Sequence, residues 1–392
     1  MLQKIEIHEL AVDYSRSWGK WPTTSDTDYS AIHDAPSING FRTNKYEVKI
    51  ITHWYSIYSP FPRLGYKRLP HKALDWQIDI RTRPPPDFLA LQLQDLKDYA
   101  TYCKVIRWRH AYECHPEVSS QLPDLFPLRI LEFGDDCPDS SEYKSFPHAA
   151  NFNALLHNMF TFDYQTGALV SDEYKKRGMA YTQFVCIPRS SGLINYILES
   201  NFDLEQKAAS IAAGNKTELG LILLCGAAYN MERRKFCGGL WNDKQKLEAA
   251  GISSLMRGHN WPEGLLLPTQ HPLGSGYTVA PYYCKTLLGP NIQNSSIFNA
   301  RLTDLWLTGV VQIICDKNDE LAHFGIEAEK DYIPFDGSAA GCIDTAIAWF
   351  SRKRELAQIM HNGAVTAQRM VATHGPAAAY QKLYEDHLEL LI

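Results

Sequence analysis

Several short clusters in this chain hold residue types that can do chemistry. Asn294, Ser295 and Ser296 stand just ahead of a helix-periodic run at residues 297–307. A helix start presents unpaired N–H groups and the positive end of the macrodipole, which together hold phosphate. The same residues would also serve as a plain helix cap. Gly226, followed by Arg233 and Arg234, puts a small-residue turn and two cations after an apolar run at 218–224. They read as phosphate partners or as surface charge. Gly134-Asp135-Asp136-Cys137-Pro138-Asp139 follows another strand-like run, 129–133. The carboxyl end of a strand is the usual ligand edge of an α/β sheet. Asp135 and Asp136 are therefore candidates for a general base or a substrate contact, with a capping turn as the alternative. Glu142 and His148 share that loop. Adjacent carboxylates could hold a metal, but the spacing is DD rather than DxD. His271 precedes the glycine-rich 274–276, and Arg189 and Ser190 follow the strand-like 183–187. Each reads either as a ligand contact or as part of a loop or hinge. His110, Cys114 and His115 lack a second matching pair, so zinc is not expected. No Walker loop, dinucleotide glycine fingerprint or nucleophile elbow occurs.

These clusters need elements to position them. Strands are expected at 4–10, 46–52, 74–80, 104–108, 129–133, 183–187, 218–224, 252–256 and 310–315, with a short one at 332–335. Helices are expected at 87–99 with Asp87 as cap, at 151–160, 193–199 and 281–287, and from Asn230 to Ala250 with Gly251 as stop. Further helices are expected at 344–360 and 364–374, and at 377–391 after a break at Gly375-Pro376. Strands alternating with helices imply parallel sheets in an α/β layer structure.

The chain has 392 residues, enough for two domains, and its 45% hydrophobic and 21% charged content is that of a globular protein. A net charge of −5 gives no global polyanion-binding surface. Aromatic residues make up 12%; they can line sugar-binding clefts but more often pack cores. Nine cysteines without a CxxC, several in apolar runs, fit reduced thiols and a cytoplasmic setting. The N-terminus lacks the apolar core of a signal peptide, and no run has the length of a membrane span.

The order of motifs narrows the class. Leu221-Ile222-Leu223-Leu224-Cys225-Gly226 precedes Arg233 and Arg234. Arg301-Leu302-Thr303-Asp304-Leu305-Trp306-Leu307-Thr308-Gly309 is followed by an apolar strand, an acidic turn at 316–320, Gly325 and Tyr332-Ile333-Pro334-Phe335. This series resembles the C-terminal domain of GT-B glycosyltransferases, particularly the bacterial spore-maturation-type group. That group has R-x-F-E-x-x-A-x-G where this chain has Arg301, Asp304 and Gly309. Asp304 stands in the glutamate position and Thr303 in place of an aromatic residue.

The resemblance covers residues 218–375 and is architectural before that. It implies two Rossmann-like α/β domains facing across a cleft. Residues 1–190 would bind the acceptor and 191–217 would cross over. Residues 218–375 would bind a nucleotide sugar, and the helix in 376–392 would be free to pack back on the first domain. By the same resemblance Asp304 accepts hydrogen bonds from ribose. Gly226, Arg233, Arg234, His271, Asn294, Ser295, Ser296 and Arg301 contact the donor, although Arg301 could instead brace the domain. Asp135, Asp136 and His148 would carry base chemistry, and Glu142, Arg189 and Ser190 acceptor contacts. The implied reaction is metal-independent, needs no cofactor beyond the nucleotide-sugar co-substrate, and involves no membrane span. The alternatives are an epimerase or hydrolase of the same fold, a non-catalytic glycan- or nucleic-acid-binding protein, and a phage-type enzyme glycosylating DNA bases. Only in the last does a nucleic acid enter as acceptor.

Overall fold

The computed structural model describes residues 2–13, 38–56, 60–64, 87–109, 114–133, 151–158, 180–184, 191–225, 231–258, 275–292, 300–317 and 319–392. They divide into two compact units. Residues up to 184 together with His374–Ile392 form the first, and residues 191–373 the second.

The first unit is built on β1 (Gln3–Asp13), β2 (Gly40–Arg42), β3 (Tyr46–Ser56), β4 (Val105–Arg109), β5 (Leu128–Phe133), β6 (Ala154–Asn158) and β7 (Ala180–Phe184). The sheet order is β2-β3-β1-β4-β5-β6-β7. The short edge strand β2 is antiparallel to β3; the other pairs are parallel. Helix Phe88–Ala100 buries Phe88, Gln92 and Leu96, a four-residue spacing that lays one face on a core with Trp108, Phe126 and Phe152. The C-terminal helix Pro376–Asp386 belongs to this unit. Its Tyr384 hydroxyl donates to the buried Glu9 carboxylate on β1, and Glu9 Oε1 accepts from Arg107 Nε of β4 at 2.9 Å. The Arg107 guanidinium lies over the rings of Tyr380, at 5.1 Å, and Trp54, at 5.5 Å.

The second unit holds β8 (Leu219–Leu224), β9 (Ser254–Arg257), β10 (Thr286–Asn291), β11 (Val311–Ile314) and β12 (Ile333–Pro334), in the order β12-β11-β10-β8-β9. All of these pairs are parallel. Counted within the unit, the order is 2-1-3-4-5, a doubly wound sheet whose direction of growth reverses between β8 and β10. Along β8 the side chains alternate between two cores. Leu221, Leu223 and Cys225 pack with Phe236, Leu240 and Ile343, while Ile222 and Leu224 pack with Leu193, Ala280, Tyr283 and Leu305. A strand covered on both faces is apolar at every position, as this one is. No helix among the described residues is long and apolar enough to cross a membrane.

Several local expectations are corrected. The expected helix at 151–160 is strand β6, paired on both sides with β5 and β7. Its short apolar run Ala154-Leu155-Leu156 does not distinguish helix from buried strand by periodicity. The expected helix at 281–287 is instead the end of helix Ser275–Cys284 and the start of β10. β10 contains Gly289 and Pro290, which read as breakers. Pairing with β8 spans Thr286–Leu288 while pairing with β11 runs on to Asn291, so Pro290 falls beyond the ladder with β8. Asp87 makes no side-chain cap bond and has helical backbone angles. The single helix expected to reach Ala250 is two, Met231–Asn242 and Lys244–Ala249, and Gly251 (φ 75°) follows the second. His115 is a helix cap, accepting from Glu117 N at 3.3 Å. The strand expected at 74–80 lies outside the described residues.

Candidate functional site

The site grows from the carboxyl end of β8. Cys225 follows the strand, and helix Met231–Asn242 returns alongside it, burying Arg233, Phe236, Cys237 and Leu240. That i, i+3, i+4, i+7 stripe explains why Arg233 is buried while its neighbour Arg234 is exposed. Helix Ala300–Leu307 follows β10 and carries Arg301 in its first turn and Asp304 one turn later, on the same side. The cluster thus belongs to the two strands flanking the reversal of the sheet, where open α/β sheets bind ligands.

Charge is concentrated here. Asp304 is 8% exposed, and burial pushes its carboxyl up to about 8, the Arg301 charge opposing this without overcoming it. At neutral pH the carboxyl is therefore mostly protonated. Cys225 Sγ lies 3.7 Å from Cys237 Sγ. The hydrogen bond from Cys237, helped by the Arg301 and Arg233 charges and against the effect of burial, holds the Cys225 thiol well below its usual range. Cys237 is correspondingly pushed up. Burial raises the Tyr283 hydroxyl, and Arg301 again opposes it. Among the described residues, the buried Arg301 Nη1 and Asp304 Oδ1 have no hydrogen-bond partner. A donor and an acceptor are thus left in the positions a polar ligand would satisfy, each buried without a partner at a cost of about 1–3 kcal/mol.

Helix Ala300–Leu307 is held from below. Val310 N donates to Leu305 O at 2.8 Å and Gly309 N to Trp306 O at 3.0 Å, the paired bonds of a Schellman end. Gly309 takes φ 67°, and a Cβ there would come within 2.5 Å of Leu204 Cδ1. Lys207 Nζ donates to the carbonyl of Thr308 at 2.9 Å, and Trp306 Nε1 donates to Asp331 O at 3.1 Å. These contacts set the height and rotation of the turn bearing Arg301 and Asp304.

Of the residues singled out in the sequence, Arg233, Arg301 and Asp304 lie in this cluster, and Arg234 faces solvent. Gly226, His271, Asn294, Ser295 and Ser296 lie outside the described residues, as do Asp135, Asp136, Glu142, His148, Arg189 and Ser190. Cys237 and Tyr283 also join the cluster, and neither is among the candidates the sequence singles out. Cys237 was accessible in principle, being four residues after Arg233 on the same helix face. Tyr283 was not, because its side chain meets Arg301 only through the packing of helix Ser275–Cys284. Glu320, in the acidic turn expected at 316–320, is 1% exposed just beyond β11.

No family model matches the sequence, and no curated protein matches it. Solved structures do match over nearly the whole chain. The chain is similar to sucrose-phosphate synthase from Thermosynechococcus elongatus (TM-score 0.51, 11% identity, 98% of this chain and 99% of that one). It is also similar to an alpha,alpha-trehalose-phosphate synthase (UDP-forming) from Burkholderia vietnamiensis (TM-score 0.50, 9% identity, 100% and 98%). A third match is the trehalose-6-phosphate phosphatase N-terminal domain of Candida albicans (TM-score 0.54, 11% identity, 98% and 97%). At these identities the likeness is one of fold: two Rossmann-like α/β units, the architecture of GT-B glycosyltransferases.

Proposed function

We propose that this chain is a glycosyltransferase of the GT-B class, using a nucleotide-activated sugar bound by the second unit. The observation that carries the reading is a buried pair of groups without a partner among the described residues, Arg301 Nη1 and Asp304 Oδ1, in the cluster with Arg233 at the sheet reversal. Guanidinium groups stabilise the charge that develops on a departing nucleotide phosphate. A carboxylate one turn away suits the paired hydroxyls of a ribose, which donate to it. Asp304 must ionise to accept both, so ribose binding and proton release are coupled. The spacing of Arg301, Asp304 and Gly309 supports the finer assignment to spore-maturation-type enzymes. Gly226, Arg234, His271 and Asn294–Ser296 are proposed as further donor contacts. Asp135, Asp136 and His148 are proposed to carry the base, and Glu142, Arg189 and Ser190 to contact the acceptor. The reaction is proposed to need no metal.

Calorimetry with UDP-glucose and other nucleotide sugars tests the donor assignment. Asp304→Ala is expected to abolish binding while the far-UV dichroism stays native; unchanged affinity rejects the role given to Asp304. With the donor known, Asp136→Asn is expected to cut transfer at least tenfold while sparing donor affinity, and full activity removes it as the base. Loss of activity in chelator, restored by a divalent metal, overturns the metal-free part. Turnover of donor in the absence of any acceptor, seen by mass spectrometry, replaces the transferase reading with an epimerase or hydrolase.

A further inference from the structure

We infer that Cys225 and Cys237 form an oxidisable dithiol, a modification site at the carboxyl end of β8 where peroxide joins the two thiols reversibly in an intramolecular disulfide. The two sulfur atoms are already in contact at 3.7 Å. They sit in one core, on a strand end and on the helix that returns beside it, with 4% and 0% exposure. A disulfide bond is about 2.05 Å long, so closure needs an approach of about 1.7 Å from the present 3.7 Å, shared between two side chains.

The surroundings favour this chemistry over metal binding. Arg301 and Arg233 place positive charge beside Cys225, which favours a thiolate and disfavours a metal cation. The other described cysteines show the opposite setting. Burial pushes up the thiols of Cys103, Cys114, Cys284, Cys315 and Cys342, so each is a poorer nucleophile at neutral pH. The steps balance. The Cys225 thiolate attacks one oxygen of hydrogen peroxide, the O–O bond breaks, and hydroxide leaves to become water, giving a sulfenic acid. The Cys237 sulfur then attacks the Cys225 sulfur, the S–O bond breaks, and a second water leaves with the Cys237 proton. Two thiols are oxidised by two electrons and one peroxide is reduced to two waters. A dithiol reductant reverses the step by exchange. Oxidation also removes the negative charge that Arg301 and Arg233 face.

The test uses the full chain treated with hydrogen peroxide at neutral pH, blocked with iodoacetamide and digested without reductant. The expected result is a peptide pair linked through Cys225 and Cys237, a loss of two titratable thiols per chain, and recovery of both with dithiothreitol. A different cysteine oxidised first, or sulfinic acid at Cys225 with Cys237 still a thiol, overturns the inference. In Cys237→Ser the sulfenic acid has no resolving partner, so dimedone should label Cys225; a folded variant that stays unlabelled overturns the peroxide step. If that variant does not fold, dimedone added to the wild-type chain during oxidation should lower the disulfide yield as label appears, and a yield indifferent to dimedone has the same force.

Discussion

At Asp304 two physical effects pull in opposite directions. Burial favours the neutral acid and Arg301 favours the carboxylate, and burial wins, leaving the group near pH 8 instead of its ordinary 3.8. The consequence for stability has a definite sign. As pH rises from about 4 towards 8, the unfolded chain sheds a proton that the native chain retains, so this residue lowers stability progressively across that window. Asp304→Asn should therefore be more stable than wild type by about 2–4 kcal/mol near neutrality and about equal to it near pH 4. Urea unfolding at both pH values measures this, and equal gains at both reject a protonated Asp304. The spacing of Arg301 and Asp304 was legible in the sequence. The burial of Asp304 and of the Arg301 Nη1 was not, because it depends on which helix face the sheet covers.

At the scale of elements, the Schellman end at Gly309 fixes the helix that bears Arg301 and Asp304. A Cβ at Gly309, with its positive φ of 67°, would strain the backbone, and its 2.5 Å approach to Leu204 Cδ1 would push that side chain aside. Gly309→Ala should lose about 2–3 kcal/mol in urea unfolding, with the strain of the left-handed backbone adding to the clash. A loss below about 0.5 kcal/mol would show that the helix end relaxes freely. Gly363 is a similar case of close approach, since a Cβ there would meet Trp306 Cδ1 at 2.4 Å. The runs β8 and β11 were legible because a parallel strand buried on both faces is apolar at nearly every position, Gln312 being the polar exception in β11. β6 and β10 were not. Ala154–Asn158 lacks a period that excludes helix, and the Gly289-Pro290 pair conceals a strand whose pairing with β8 ends before the proline.

At the scale of the molecule, the chain closes on its own beginning. After the second unit it returns to the first, where Tyr384 and Arg107 share the Glu9 carboxylate and Lys104 Nζ donates to the Leu391 carbonyl at 2.7 Å. Removing one member of a buried ion pair costs about 3–5 kcal/mol, more than losing one neutral hydrogen bond at about 1 kcal/mol. Glu9→Ala should therefore destabilise the first unit severely. Tyr384→Phe should instead raise amide exchange selectively in Pro376–Asp386. Equal exchange in that helix with and without the hydroxyl would remove the Tyr384–Glu9 bond as its anchor.

The alternation of strands and helices, the breaks at Gly251, Gly309 and Gly375-Pro376, and the Arg301–Asp304–Gly309 spacing are local patterns, so the amino-acid order alone determined them. Partners far apart along the chain were decided only by the tertiary structure. These include Glu9 with Tyr384, Arg301 near Cys225 and Tyr283, and the order of strands that puts the reversal between β8 and β10. Such contacts arise from the burial of whole faces, and no stretch of sequence records which face will be covered.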